Sequence, residues 1–143
     1  MAEKDKLQDA FLDKFVGKWR IARQFKSRTS ENAATIEWIL DHQFLRIQMI
    51  DVNEPPEYEA HVYLGFDASK SKYVCHWIDV FGGQYSCRGY GEREENSIRI
   101  AFEDDLVNTF TFNEGTGTWT SKIDQTNDKG EWVNFCVDTY SKA

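Results

Sequence analysis

The sequence predicts an all-β protein: a single antiparallel up-and-down barrel of about ten strands, with one short N-terminal helix capping one end. Three observations carry that reading. The chain is rich in aromatics, with 5 Trp, 6 Tyr and 10 Phe, and holds only 2 Pro, adjacent at Pro55 and Pro56, a composition that favours pleated sheet over helix. Beyond Gly17 it divides into stretches of about 6–10 residues separated by turn chemistry, the spacing of a sandwich or barrel. The connections are all short, so consecutive strands are antiparallel neighbours, and a ten-stranded open sheet would leave two bare edges that closure removes.

The helix is expected over residues 4–15, where Leu7, Phe11 and Phe15 recur at i, i+4 and i+8 with Ala10 beside them, while Lys6, Asp9 and Asp13 lie elsewhere. It runs into "KFVGKWRIARQF", residues 14–25, where Gly17 permits a tight turn and Trp19 is placed to plug the same end of the barrel from inside. Strands are then expected at 18–27, 34–41, 44–51, 57–66, 72–80, 84–91, 97–103, 107–113, 116–124 and 131–140. The segments between them, such as "SRTSEN", "DVNEPPE", "FGGQ" and "TNDKG", are rich in Gly, Asn, Asp and Ser. A chain of 143 residues is long enough for one well-buried core and too short for two ordinary domains, so residues 1–143 read as a single barrel domain.

Charge excludes several partner classes. With 17 Lys and Arg against 24 Asp and Glu the formal charge is −7, and no segment gathers basic residues into a patch, which argues against nucleic acid and anionic membrane. No apolar run approaches a membrane span and "MAEKDKLQDAF" lacks a signal-peptide core, so a soluble, cytoplasmic protein is expected. Cys75, Cys87 and Cys136 are odd in number and lie in strand-like stretches, so they read as reduced, buried thiols.

The run Phe15-Val16-Gly17-Lys18-Trp19 resembles the Gly-x-Trp opening of lipocalins, fatty-acid-binding proteins and the other calycin-like barrels. The closing "FCVDTYSK" is similar to the last strand of the fatty-acid-binding proteins, whose pattern has an arginine two residues before the tyrosine; here Asp138 takes that place, ahead of Tyr140. The helical lid those proteins insert between their first two strands is missing, since only "SRTSENA" lies there. Over nearly its whole length, and in "EWILDHQFLRI", "YLGFDASKSKYVCHWID" and the tail, the chain resembles an uncharacterised bacterial family with a lipocalin-like barrel. That resemblance implies a fold and no reaction.

Two constellations are candidates for the interior. If Gly82-Gly83 forms a two-residue primed turn, Trp77 faces Arg88, Asp79 faces Ser86 and Cys75 faces Tyr90. Tyr73, Trp77, Asp79, Arg88 and Tyr90 then share one polar-aromatic face, opposite one bearing Val74, His76, Ile78 and Val80. Facing inward these residues line a cavity; facing outward, Trp77–Arg88 and Asp79–Arg88 are ordinary cross-strand contacts on a solvated sheet. The second constellation joins the chain's two ends. Trp19, Ile21, Arg23 and Phe25 share a face of the first strand, and Trp132, Asn134, Cys136, Asp138 and Tyr140 share one on the last. Closure brings these strands together, so Arg23 is expected to neutralise Asp138, with the cation carried on a different strand from that of the fatty-acid-binding pattern.

Enzyme signatures are poor. There is no Gly-x-Ser-x-Gly elbow, no phosphate-cradling loop and no zinc spacing. Cys75 and His76 point to opposite faces of a strand and cannot form a dyad. Glu94-Glu95 and Asp104-Asp105 fall in turns, which leaves Asp79 as the one acid with catalytic potential. The favoured function is binding of a small apolar or amphipathic molecule by Trp19, Arg23, Tyr73, Trp77, Asp79, Arg88, Tyr90, Asp138 and Tyr140, with no catalytic residue, metal or cofactor. The alternatives are a structural or dimerising module whose barrel is filled by its own aromatics, with a second copy of the chain as partner; an enzyme using Asp79; and heme binding through His61 or His76 if either faces the cavity, with His42 the remaining histidine.

Overall fold

A computed structural model describes residues 6–103 and 105–143. Residues 4 and 5 of the expected helix, and Asp104, lie outside the described residues. The elements are α1 (Ala10–Asp13), β1 (Gly17–Phe25), β2 (Arg28–Ile39), β3 (Phe44–Asp51), β4 (Glu59–Asp67), β5 (Lys72–Asp79), β6 (Cys87–Glu94), β7 (Ser97–Phe102), β8 (Leu106–Asn113), β9 (Thr118–Thr126) and β10 (Trp132–Lys142), with a 3-10 turn at Gly83–Tyr85. Each strand pairs antiparallel with its chain neighbours, and β1 pairs with β10 to close the barrel. The ten strands and the closure match the sequence expectation.

The local differences have identifiable causes. The polar run at 28–31 belongs to β2, because its backbone pairs with β1 down to Phe25↔Arg28 and Lys26 takes a left-handed φ of 54° at the turn. The helix shrinks to one turn: Asp9 caps it by accepting from Leu12 N at 2.9 Å, and Leu7 instead donates its amide to His42 O at 3.1 Å.

That short helix seals one end of the barrel. Phe11, Leu12 and Phe15 are buried against Trp19 and Trp119, which meet edge-to-face at 6.1 Å, while Phe15 stands edge-on to Trp119 at 4.6 Å. The sequence expectation for Trp19 is met: Gly17 turns with φ 139°, the indole is 1% exposed, and its Nε1 donates to Phe15 O at 2.8 Å. Each such aromatic contributes about 1.5–3 kcal/mol by burial, and side-chain hydrogen bonds orient the plug, since Trp38 Nε1 donates to Asp13 Oδ1 and Tyr73 OH to Asp9 Oδ2. The connections β2–β3, β4–β5, β6–β7 and β8–β9 lie at this end; the other five lie at the far end.

Inward-facing Gly89 and Gly91 of β6 stand where no side chain fits. A Cβ at Gly91 would lie 1.8 Å from the Arg99 carbonyl oxygen of β7, and one at Gly89 would lie 2.7 Å from the Ala101 carbonyl oxygen. Gly91→Ala is therefore expected to destabilise by at least about 2 kcal/mol, because a main-chain atom cannot step aside as an overpacked side chain does. Gly83→Ala, where a Cβ meets nothing within 4 Å, should shift stability by less than about 0.5 kcal/mol. Urea midpoints of the two variants check this, and equal midpoints would contradict the close β6–β7 approach.

Candidate functional site

The register of β5 against β6 decides which side chains enter the barrel. The observed partners are Trp77↔Cys87, His76↔Arg88, Cys75↔Gly89 and Val74↔Tyr90, one residue away from the expected register. A two-residue Gly82-Gly83 turn is not formed. After Asp79 the chain turns on an Asx motif, with Phe81 N donating to Asp79 Oδ1 at 3.1 Å, then makes the 3-10 turn, in which Ser86 N donates to Gly83 O. A shift of one flips every β6 side chain. Arg88 and Tyr90 therefore stand on the outer face, where Arg88 lies 5.6 Å from the Tyr90 ring and opposite His76, and no Asp79–Arg88 or Trp77–Arg88 pair exists among the described residues. Tyr73, Cys75, Trp77 and Asp79 face inward with Cys87, Gly89 and Gly91.

Arg23 and Asp138 do meet. They are direct cross-strand partners on β1 and β10, and the guanidinium is bidentate, Nε to Oδ1 and a terminal nitrogen to Oδ2, both at 2.7 Å. Their side chains are 12% and 2% exposed. Burial by itself would lower the Arg23 pKa, but the hydrogen bonds and charge of Asp138 outweigh it and hold the guanidinium charged. Burial, then the Asp138 charge, pushes the neighbouring Cys136 thiol up to about 12. The face expected on β10 is broken at a bulge between Asn134 and Cys136, so Cys136, Asp138 and Tyr140 face inward while Trp132 is exposed.

Tyr58, unnoticed in the sequence, links the two halves of the expected site. Its ring lies 4.7 Å from the Arg23 guanidinium, and its hydroxyl donates to Asp79 Oδ2 at 2.9 Å, where Trp77 Nε1 also donates at 3.2 Å. Burial, then the Asp79 charge, raises the Tyr58 phenol pKa, so it stays a hydroxyl donor. A polar line thus runs from Asp138 through Arg23, Tyr58 and Asp79 to Trp77. Asp51 stands at the rim, its carboxylate held below the usual range by the backbone amides of Asn53 and Glu57, which also fasten the β3–β4 connection. Asn32 and Asn108 face inward at 1% exposure; Asn108 accepts from Ser121 Oγ at 2.9 Å, yet its Nδ2 and the Oδ1 of Asn32 are buried without a hydrogen-bond partner. Trp119 Nε1, at the sealed end, is also unpartnered.

The nine expected site residues therefore separate. Trp19, Tyr73 and Tyr140 belong to the packed end, where Tyr140 stacks on Trp119 at 3.5 Å. Arg23, Asp138, Trp77 and Asp79 belong to the polar half, and Arg88 and Tyr90 lie outside. His61 and His76 also face outward: His61 contacts Glu59, and burial followed by the Arg88 charge lowers the His76 pKa. His76 and Arg88, with Trp77, Ile78, Ser86 and Cys87, line an open surface hollow of about 380 Å3 where the β5–β6 ladder ends.

Removing Asp138 leaves a buried cation, so Asp138→Ala should cost about 3–5 kcal/mol, and the double variant Arg23→Met, Asp138→Leu should recover most of it. Asp79→Ala strands three neutral donors, Tyr58 OH, Trp77 Nε1 and Phe81 N, and should cost about 1–3 kcal/mol, whether or not Arg88 is also changed to Met. Denaturant titration of the set checks both, and a loss for Asp79→Ala that disappears in the Arg88→Met background would contradict the register.

Among the described residues no helix is long and apolar enough to cross a membrane. No curated protein matches the chain. The family model described as a protein of unknown function (DUF1579) matches residues 5–142. The fold and the polar half-barrel are thus those of a chain that belongs to the DUF1579 family.

Proposed function

We propose that the protein binds a small apolar or amphipathic molecule in the half of the barrel remote from α1. The observation that carries this reading is the contrast between the two ends. Inward-facing Phe11, Phe15, Trp19 and Trp119 are buried completely at the helix end, whereas Tyr58, Trp77, Asp79, Leu106, Ile123 and Gln125 keep part of their surface open to solvent. A concave region with apolar walls and a few convergent polar groups is the general form of a small-molecule site. The Gly-x-Trp opening, the single N-terminal plug and the up-and-down closure support a lipocalin-like, calycin-type reading of the barrel, in which the interior serves as the binding compartment. A soluble, cytoplasmic setting suits the acidic chain.

A second reading is favoured by one specific feature. Val80, Phe81, Tyr85, Trp132 and Val133 are all exposed, and all lie in or next to connections at the open end. On that reading the apolar rim is covered by another copy of the chain and the barrel is structural.

Binding of Nile red, an uncharged apolar fluorophore, tests the choice. A saturable, micromolar enhancement is expected, weakened several-fold by Trp77→Ala or Tyr58→Ala at the open half and left unchanged by Arg88→Ala on the outer face. Native mass spectrometry of the purified protein reports any retained molecule and the subunit count together. A dimer that binds no probe would establish the structural reading and end the ligand-binding one.

A further inference from the structure

The identity of the polar groups inside the barrel restricts what they can recognise. This step rests on the binding reading above and concerns the chemical class of the ligand. A carboxylate-headed molecule needs a cation whose charge is not already neutralised. Arg23 is the buried cation of this half-barrel, and both its Nε and a terminal nitrogen already hold the two oxygens of Asp138, while its face is covered by the Tyr58 ring. The remaining charges have the wrong sign: Asp79 and Asp51 are held by neutral donors and neither is in an ion pair among the described residues. Three carboxylates thus accompany one cation in this half-barrel, and a fourth would enter a field of like charge whose one guanidinium is already neutralised by Asp138.

The buried side-chain atoms without a partner that face into this half of the barrel are neutral and of both kinds. Asn108 Nδ2 is a donor without an acceptor and Asn32 Oδ1 an acceptor without a donor, each on an inward-facing side chain 1% exposed. Buried polar groups are ordinarily satisfied, and each of these orphans is stabilised by a neutral partner of the opposite kind, which a group able both to accept and to donate can be for either. A hydroxyl or a primary amide does so without importing charge.

We infer that the barrel selects an apolar molecule with an uncharged hydroxyl or amide head and discriminates against the corresponding carboxylate, the Arg23–Asp138 pair acting as the specificity element because Asp138 already neutralises Arg23 and holds two of its donors. Recognition then consists of an apolar chain against the barrel wall and a neutral head meeting Asn108 or Asn32.

Decanol, decanamide and decanoate share a chain and differ in the head, so displacement of Nile red by each reads the discrimination directly. Decanol and decanamide are expected to displace the probe at concentrations about tenfold or more below that of decanoate. Because alcohols also partition better in general, the variants carry the decision. Asp138→Asn frees Arg23 and should improve decanoate about tenfold while leaving decanol within about twofold. Asp138→Asn also removes a buried partner and can unfold the chain, so Asp79→Asn, at the solvent-reached end, gives the same comparison with a smaller, several-fold gain for decanoate. Asn108→Leu should weaken decanol and decanamide and spare decanoate. Decanoate binding the wild-type protein as tightly as decanol, or folded Asp79→Asn and Asn108→Leu proteins with unchanged head-group ratios, would overturn the inference while leaving ligand binding intact. Failure of Nile red and all three decyl compounds to bind would instead remove the binding reading on which it rests.

Discussion

Everything in this molecule depends on β1 closing against β10. Seven cross-strand positions, from Trp19↔Lys142 to Phe25↔Cys136, join the two ends of the chain and convert a ten-stranded sheet with two bare edges into a cylinder with none. The same seam brings Trp19 into the core that holds Tyr140 and Trp119, and it sets Arg23 beside Asp138 across 115 residues of chain. The charges in turn specify the seam. Slipping the register by one residue would turn one partner of the pair outward and leave the other buried alone. Hydrogen bonding supplies the adhesion of the closure, and the buried pair supplies its alignment.

From that closure follows a gradient of polarity along the barrel axis. At the helix end, aromatic rings meet edge-to-face and fill the cross-section, with α1 too short to stand alone and fastened by Asp9 and Asp13 to side chains of β5 and β2. Further along, the same inward parity carries Asn32, Ser121, Asn108, Arg23 and Asp138. The apolar half provides the stability that lets the other half hold charges and unpartnered amides.

The fold was legible because its signals are regional. Turn clusters, short connections and aromatic-rich alternating stretches each survive an error of one or two residues, so ten strands and a closed barrel follow even where individual boundaries move. The Arg23–Asp138 pair was legible for a related reason: both residues hold the inward parity of long strands whose mutual position is set by closure. The β5–β6 face was not, because a single residue in a connection reverses it. Gly82-Gly83 has the appearance of a primed turn, but Asp79 captures the amide of Phe81 and diverts the chain into a longer connection, which sends Arg88 and Tyr90 outside. Tyr58 carried a signal that was passed over, since it lies within the expected strand 57–66 in phase with Ala60, Val62 and Leu64. Asn108 also carried one, as a polar residue in phase with Phe110 and Phe112, and Asn32 likewise in phase with Ala34 and Ile36.

The two inward glycines of β6 set a limit of a different kind. With main-chain carbonyls of β7 where their side chains would be, Gly89 and Gly91 act as notches into which the neighbouring strand is seated. A slip of β6 along β7 by two residues would preserve the inward and outward faces, and so would pass unchecked by hydrophobic patterning alone. It would, however, drive Cys87 or Arg93, which share the inward parity, into a notch that has no room for a Cβ. Alternation along the strand excludes the odd-numbered slips and the notches exclude the even ones, so between them this part of the wall has a single permitted alignment.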